Sequence, residues 1–303
     1  QKDKQYSIKK TDKKILEKWY RLLVLGRRLD EKAPNYLKQA LGWSYHAPYA
    51  GHDGIQLAIG QVFEANKDFL FPYYRDMLTV LSGGMTAEEI ILNGISKAAD
   101  PSSGGRHMSN HFAKPEINIQ NVSSCTGNHT LHAVGVARSI KLSGKKAVAI
   151  SSQGESSVSE GYVYEAITGA DKEKLPVIFV FQDNGYGISV PKKDQTANRK
   201  VANNFSGFKN LRIIHCNGKD VFDSMNAMER TFSDIHRYRV MQHKIKDVRE
   251  TDILIQSNAI DTVFLDETSK QNVCILSDVD SNKAFMDNHS WKIIQHTQSI
   301  QVL

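Results

Sequence analysis

Two oxygen-bearing side chains, Glu155 and Asn184, each stand just past a short apolar run, 147–151 and 177–182. Each run reads as a buried strand. Residues 159–170 between them read as a helix, so the segment is a βαβ unit with parallel strands. In a parallel sheet, ligands bind outside the carboxyl ends of the strands. Glu155 and Asn184 therefore emerge at one edge. A carboxylate and an amide oxygen are hard ligands that suit Mg²⁺, which takes one or two protein carboxylates and completes its octahedron with phosphates. Gly154, Gly185 and Gly187 let backbone approach a bound group closely. The competing reading is a solvated carboxylate beside a turn asparagine.

Other residues of chemical interest are weaker on their own. Arg75 offers a planar fork for a phosphate or an ordinary surface ion pair. His52 is a candidate base, but such a residue more often caps a helix or lines a pocket. His107, His111, His129 and His132 lie within 26 residues. They have no recognised zinc spacing, and His111 and His129 are left as candidates for a substrate channel.

The elements that must position these residues follow from periodicity. Asp12 is a plausible N-cap, and Ile15, Leu16, Trp19, Tyr20, Leu22 and Leu23 have helical spacing. Residues 35–41 read as a second helical segment and 55–63 as an apolar helix. Residues 69–75 read as a short strand or loop. Thr86 caps a helix over 87–92. Residues 98–130 have no sustained period, and a loop of that length in a compact domain is usually functional. A helix over 132–142 precedes the βαβ unit. A strand over 211–215 and a helix over 221–232 follow it.

The text around the two ligand candidates resembles a known family. Gly154-Glu155-Ser156, 26 intervening residues (157–182) and Asp183-Asn184 are similar to the thiamine diphosphate signature G-[D/E]-G…N-N. The stretches S-E-G at 159–161, L-P-V-I at 175–178 and N-G-Y-G-I-S-V-P at 184–191 are more specific. They look like the alpha subunit of the 2-oxoacid dehydrogenase first component, most like the branched-chain 2-oxoisovalerate type. The resemblance covers about residues 15–230. It implies an α/β three-layer thiamine-diphosphate-binding fold with a mostly parallel sheet flanked by helices. It implies Mg²⁺ held by Glu155, Asn184 and the Tyr186 carbonyl, and a diphosphate gripped by Tyr74 and Arg75. Ser123, Ser124 and Thr126 match the cofactor lining and, in some members, a K⁺ site. Gly154, Ser156 and Ser157 complete the cofactor side. The resemblance also implies a beta subunit that supplies the glutamate activating the cofactor, and a lipoyl-bearing acyltransferase as acyl acceptor.

Two departures stand inside the signature. Ser156 replaces its last glycine, and Asp183 replaces its first asparagine, adding negative charge beside the diphosphate. A larger departure is the tail. The family's histidine-bearing loop beyond this region has no counterpart here, and His236, His243 and His289 lack its context. The last 85 residues hold no glycine and no proline, so they lack the usual turn chemistry. The expected organisation is an N-terminal helical segment (1–50), a cofactor domain (51–230) and a tail (231–303) that is divergent or read in an altered frame. Within the tail, 252–255 and 273–276 look like short apolar strands.

Composition bounds these readings. The chain has 303 residues, 40% hydrophobic and 24% charged, which is ordinary for a globular protein. Residues 1–14 are polar throughout, unlike a signal peptide. No apolar run is long enough for a membrane helix. Three unpaired cysteines suit a reducing cytoplasm. Residues 1–218 carry 29 basic and 20 acidic side chains, the remainder 10 and 13. No basic cluster with interleaved aromatics accompanies that charge, so nucleic acid is not expected, and a small anion fits the basic body. The expected function is oxidative decarboxylation of a branched-chain 2-oxoacid or pyruvate. The alternatives are a catalytically incomplete partner subunit and another thiamine diphosphate enzyme, acetoin-cleaving or transketolase-like.

Overall fold

The computed structural model describes residues 5–39 and 41–246, with two short strands at 264–265 and 273–274 that pair with each other. The expected strand at 252–255 lies outside these residues. The chain divides into two compact units, one of residues 1–204 and 214–233, the other of 205–213 and 234–303.

The first unit is a parallel sheet flanked by helices, as expected. Its strands are β1 (Phe69–Phe71), β2 (Ala149–Gly154) and β3 (Val177–Gln182), in the order β1-β2-β3 and all parallel. Six residue pairs join β2 and β3, from Ala149↔Val177 to Gly154↔Gln182. Every residue of β2 is buried, which is why it reads as a continuous run rather than an alternating one. The register brings the two carboxyl ends level, so Glu155 and Asp183 leave the sheet side by side.

The described residues hold seven α-helices: α1 (Lys13–Lys38), α2 (Asp53–Val62), α3 (Met77–Gly83), α4 (Ala87–Gly94), α5 (His129–Leu142), α6 (Gly161–Glu173) and α7 (Val221–Lys246). Ala133 and Ala137 of α5 pack against Phe71, Val122 and Ala149 in a closed apolar cluster. Small residues let α5 lie close on the sheet. Thr86 and Glu89 close a full capping box at the start of α4. Gly54 is sterically required, because a Cβ there would stand 2.6 Å from the Asp220 carbonyl oxygen. That close approach lets the Ile55 N–H donate to the Gly218 carbonyl, 3.0 Å.

Two expectations are corrected. Residues 35–41 do not form a second helix; α1 runs unbroken through Pro34 to Lys38. A proline inside a helix removes one hydrogen bond, but burial of Trp19, Gly26, Leu29 and Ala33 along one face holds this one together. Residues 211–215 form no strand and pair with none among the described residues. Their β-branched residues gave the strand pattern without a neighbouring edge to bond to. The long stretch 98–128 is an irregular loop, broken by one short helical turn at Pro115–Ile117 and tied down by side-chain bonds. Asp100 accepts from the Ser102 and Ser103 N–H groups (2.9 and 3.1 Å), and Ser102 bonds both ways with Ala113. Among the described residues, no helix is long and apolar enough to cross a membrane.

Candidate functional site

The carboxyl end of β2 runs directly into Gly154 and Glu155, followed by a tight helical turn over Ser156–Ser159. The end of β3 runs into Asp183 and Asn184, followed by a two-residue hairpin of β4 (Tyr186–Gly187) and β5 (Val190–Pro191). Gly185, at φ +84°, makes the turn into that hairpin.

Glu155 is the focus of this edge. Its side chain is buried at 3% exposure. One carboxyl oxygen, Oε2, accepts the Asn184 N–H at 3.3 Å. The other, Oε1, is buried with no hydrogen-bond partner. Burial pushes the Glu155 pKa up, and Asp183 adds to the push. The Asn184 N–H and the Arg75 charge oppose it. A buried carboxylate oxygen without a donor is costly unless a cation meets it. Asn184 turns its Oδ1 onto the Tyr186 N–H at 2.8 Å, so its oxygen and the Tyr186 backbone belong to one turn beside Glu155. Oxygen donors around an orphaned carboxylate fit Mg²⁺.

Arg75 is held half-buried. It donates to the Pro48 carbonyl (3.2 Å) and the Tyr73 hydroxyl (3.3 Å), and its guanidinium lies 5.7 Å and 5.3 Å from the Tyr73 and Tyr74 ring centres. Burial opposes its charge, but the neighbouring tyrosine oxygens outweigh that and its pKa moves up. An arginine held over aromatic rings and bonded to a carbonyl and a hydroxyl keeps both its charge and its orientation.

A buried polar network beneath Arg75 was not anticipated from sequence. Gln182, the last residue of β3, donates to Asp76 Oδ1 (2.6 Å) and Ser152 Oγ (2.7 Å). Gln56 donates to Gln182 Oε1 and to the Arg75 carbonyl, both at 2.9 Å. Asp76 also accepts from the Tyr73 N–H and the Thr79 hydroxyl. The network pins the Tyr73–Arg75 loop onto the ends of β2 and β3. The available signal was three polar residues, Gln56, Asp76 and Gln182, set in or beside apolar runs.

The serines and histidines form a neighbouring group. Ser123, Ser124 and Thr126 are exposed. Ser124 Oγ lies 3.2 Å from His111 Nε2, and His111 Nδ1 lies 3.1 Å from the Ser109 carbonyl. A proton on Nδ1 leaves Nε2 to accept the Ser124 hydroxyl. Burial lowers the His111 pKa, and the stacked His107 ring, 4.3 Å away, lowers it further. Thr126 bonds Glu160 at 3.4 Å, close to Ser157 in the turn after β2. His129 is different. Its Nε2 bonds the Ser152 carbonyl at 2.8 Å, and burial lowers its pKa to about 4. That ring ties the start of α5 to β2. His52, also buried with a lowered pKa, occupies the N-cap of α2 but makes no side-chain cap bond.

The two departures in the signature are both built in. Ser156 Oγ is buried without a partner, and it faces the α-carbon of Gly187 so closely that a Cβ on Gly187 would clash with it and with Gln195. Gly187→Ala should therefore displace the hairpin and lower the thermal midpoint by a few degrees, for a cost of about 1 kcal/mol. Ser156→Gly in the same chain should recover part of that loss, the Gln195 contact remaining. A double variant no more stable than Gly187→Ala alone, measured by thermal melts, would refute the contact.

Comparison with known proteins adds an independent finding. Residues 20–247 match the family model described as dehydrogenase E1 component. The chain is 33% identical over 223 residues to the 2-oxoisovalerate dehydrogenase subunit alpha of Bacillus subtilis (strain 168), covering 72% of this chain and 66% of the relative. It is 35% identical over 194 residues to the pyruvate dehydrogenase E1 component subunit alpha of Staphylococcus aureus (strain Mu50 / ATCC 700699), covering 63% and 48%. The Staphylococcus epidermidis (strain ATCC 12228 / FDA PCI 1200) protein of the same name is 34% identical over the same shares. The match thus spans about half to two thirds of the length of these relatives.

Proposed function

Because the chain belongs to the dehydrogenase E1 component family, we propose that it is the alpha subunit of a 2-oxoacid dehydrogenase, acting on a branched-chain 2-oxoacid. The observation that carries this reading is the orphaned Glu155 carboxyl oxygen at the joined ends of β2 and β3, with Arg75 near enough to act on its charge. In this reading Glu155, Asn184 and the Tyr186 carbonyl hold Mg²⁺. Arg75 and Tyr74 grip the diphosphate of thiamine diphosphate, with Gly154, Ser156 and Ser157 alongside. Ser123, Ser124 and Thr126 line the cofactor side, with K⁺ as a further occupant there.

When bound, thiamine diphosphate supplies the electron sink that decarboxylation of a 2-oxoacid requires. The work of this chain is to anchor and orient it. Glu155 offsets metal charge at a buried position. Arg75, its orientation fixed by Pro48 and the tyrosines, gives the diphosphate a planar fork. His111 presents a hydrogen-bonded, neutral ring beside Ser124. The partners in this reading are a beta subunit and a lipoyl-bearing acyltransferase. A cytoplasmic setting agrees with the free thiols of Cys125 and Cys216. The branched-chain preference is supported by the Bacillus subtilis relative's name, and pyruvate by the staphylococcal ones.

The test is release of CO₂ from 2-oxoisovalerate and from pyruvate, with thiamine diphosphate, Mg²⁺, a branched-chain-type beta subunit and an artificial electron acceptor. We expect 2-oxoisovalerate to turn over at least several-fold faster. Faster turnover of pyruvate would refute the substrate assignment. A second reading, a subunit that pairs but does not complete a site, is favoured by one observation: the family match stops at residue 247. Cofactor binding without CO₂ release from either acid would support it.

A further inference from the structure

Asp183 stands next to Asn184, whose N–H contacts Glu155, so two carboxylates meet where a diphosphate is to be held. The charge of Asp183 reaches Glu155 and His52. An uncompensated acid there would repel a bound anion. The acid is not uncompensated. Asp183 Oδ2 forms an ion pair with Lys192 Nζ, and Asp183 Oδ1 accepts the Gly185 N–H at 2.9 Å. The side chains are 36% and 22% exposed, so solvent screens the pair only in part.

The hairpin puts the lysine there. Tyr186 pairs with Pro191 and Gly187 with Val190, and the Lys192 N–H donates to the Gly185 carbonyl at 2.8 Å. Lys192 is thus the first residue after the hairpin closes, directly across from the turn that Asp183 begins. The Gln195 side chain adds a bond back to the Val190 carbonyl. The charged groups acting on this corner are Glu155, Asp183 and Asp53 on the acidic side, and Arg75, Lys192 and Lys219 on the basic side. Arg75 lies over its tyrosines, Asp53 is paired with Arg27, and among the described residues Lys192 is the ion-pair partner of Asp183.

We propose that Lys192 is a positioning residue that masks the charge of Asp183, so that the corner between β2, β3 and the hairpin accepts a diphosphate. The inference rests on the cofactor reading above. As a surface pair it adds little to stability; its effect falls on anion binding.

The experiment is calorimetric titration of thiamine diphosphate with saturating Mg²⁺, and of thiamine monophosphate, into the full chain with its beta-type subunit. Lys192→Met keeps the aliphatic stem and removes the charge. It should weaken diphosphate binding roughly tenfold, weaken the monophosphate less, and lose part of its effect at high salt. Asp183→Asn keeps the acceptor for the Gly185 N–H. The double variant Asp183→Asn/Lys192→Met should bind within about twofold of the parent. Equal binding by parent and Lys192→Met overturns the proposal. So does a double variant as weak as Lys192→Met, which would make Lys192 a direct diphosphate contact. No binding by the parent would instead strike the cofactor reading itself. Thermal melts within a degree or two of the parent check that each variant is folded.

Discussion

Glu155→Gln is expected to abolish Mg²⁺-dependent binding of thiamine diphosphate while leaving the free protein as stable as the parent, or more stable. The two halves of this result have one cause. Glu155 Oε1 is buried with no donor, and burial raises the pKa of the group. Holding an ionised carboxylate there costs the fold stability. A neutral amide of the same shape keeps the acceptor for the Asn184 N–H and relieves that cost. The free protein should therefore melt at the same temperature or about 2–4 °C higher. In the proposed site the metal would lose its charged side-chain ligand, so affinity should fall by roughly two orders of magnitude or more. A residue kept for structure would behave the other way, with stability lost and binding largely retained. Parallel melts and titrations of the two proteins separate the cases. A Glu155→Gln chain that binds like the parent would remove Glu155 from the site.

The second large effect concerns pH and lies at His129. Burial holds this ring neutral, with a pKa of about 4 against an ordinary value near 6.5. Between those values the unfolded chain takes up a proton that the folded chain refuses. Stability from the neutral ring is therefore fully present above about pH 6.5 and is lost as pH falls toward 4. The loss over that window is on the order of 3 kcal/mol. His52 and His111, also lowered by burial, act with the same sign. Asp76 and Glu155, raised by burial, act with the opposite sign. The parent curve sums all of these, so the informative quantity is a difference. His129→Gln retains a donor for the Ser152 carbonyl and cannot titrate. Its stability relative to the parent should rise by about that amount between pH 7 and pH 4, followed by denaturant unfolding at several pH values. Parallel curves for the two proteins would show that His129 does not titrate in this window.

Much of the site edge was legible in the sequence because it depends on local order. A buried strand, a polar residue at its end, a helix and a second buried strand can be read from a window of about forty residues, and β2, α6 and β3 follow that pattern. Glu155 and Asn184 came with it. What could not be read depended on contacts between distant segments. Residues 35–41 read as a separate helical segment; the buried face that carries α1 unbroken through Pro34 is a tertiary feature. Residues 211–215 had strand chemistry but no partner edge among the described residues, and a strand is defined by its neighbour. Gln56, Asp76 and Gln182 were invisible as a group, since 126 positions separate the first and last. Lys192 was nearer at hand. The added charge of Asp183 is plain in the sequence, but its partner is not. Only the hairpin register shows that a lysine nine positions on returns to it.

The central claim is that this edge of the sheet holds a metal-bridged diphosphate. The most direct measurement is calorimetric titration of thiamine diphosphate into the chain mixed with a branched-chain-type beta subunit, with and without Mg²⁺. The account predicts saturable binding near one cofactor per chain, lost when Mg²⁺ is withheld. Absent binding while the two subunits still associate, or binding indifferent to the metal, would contradict it.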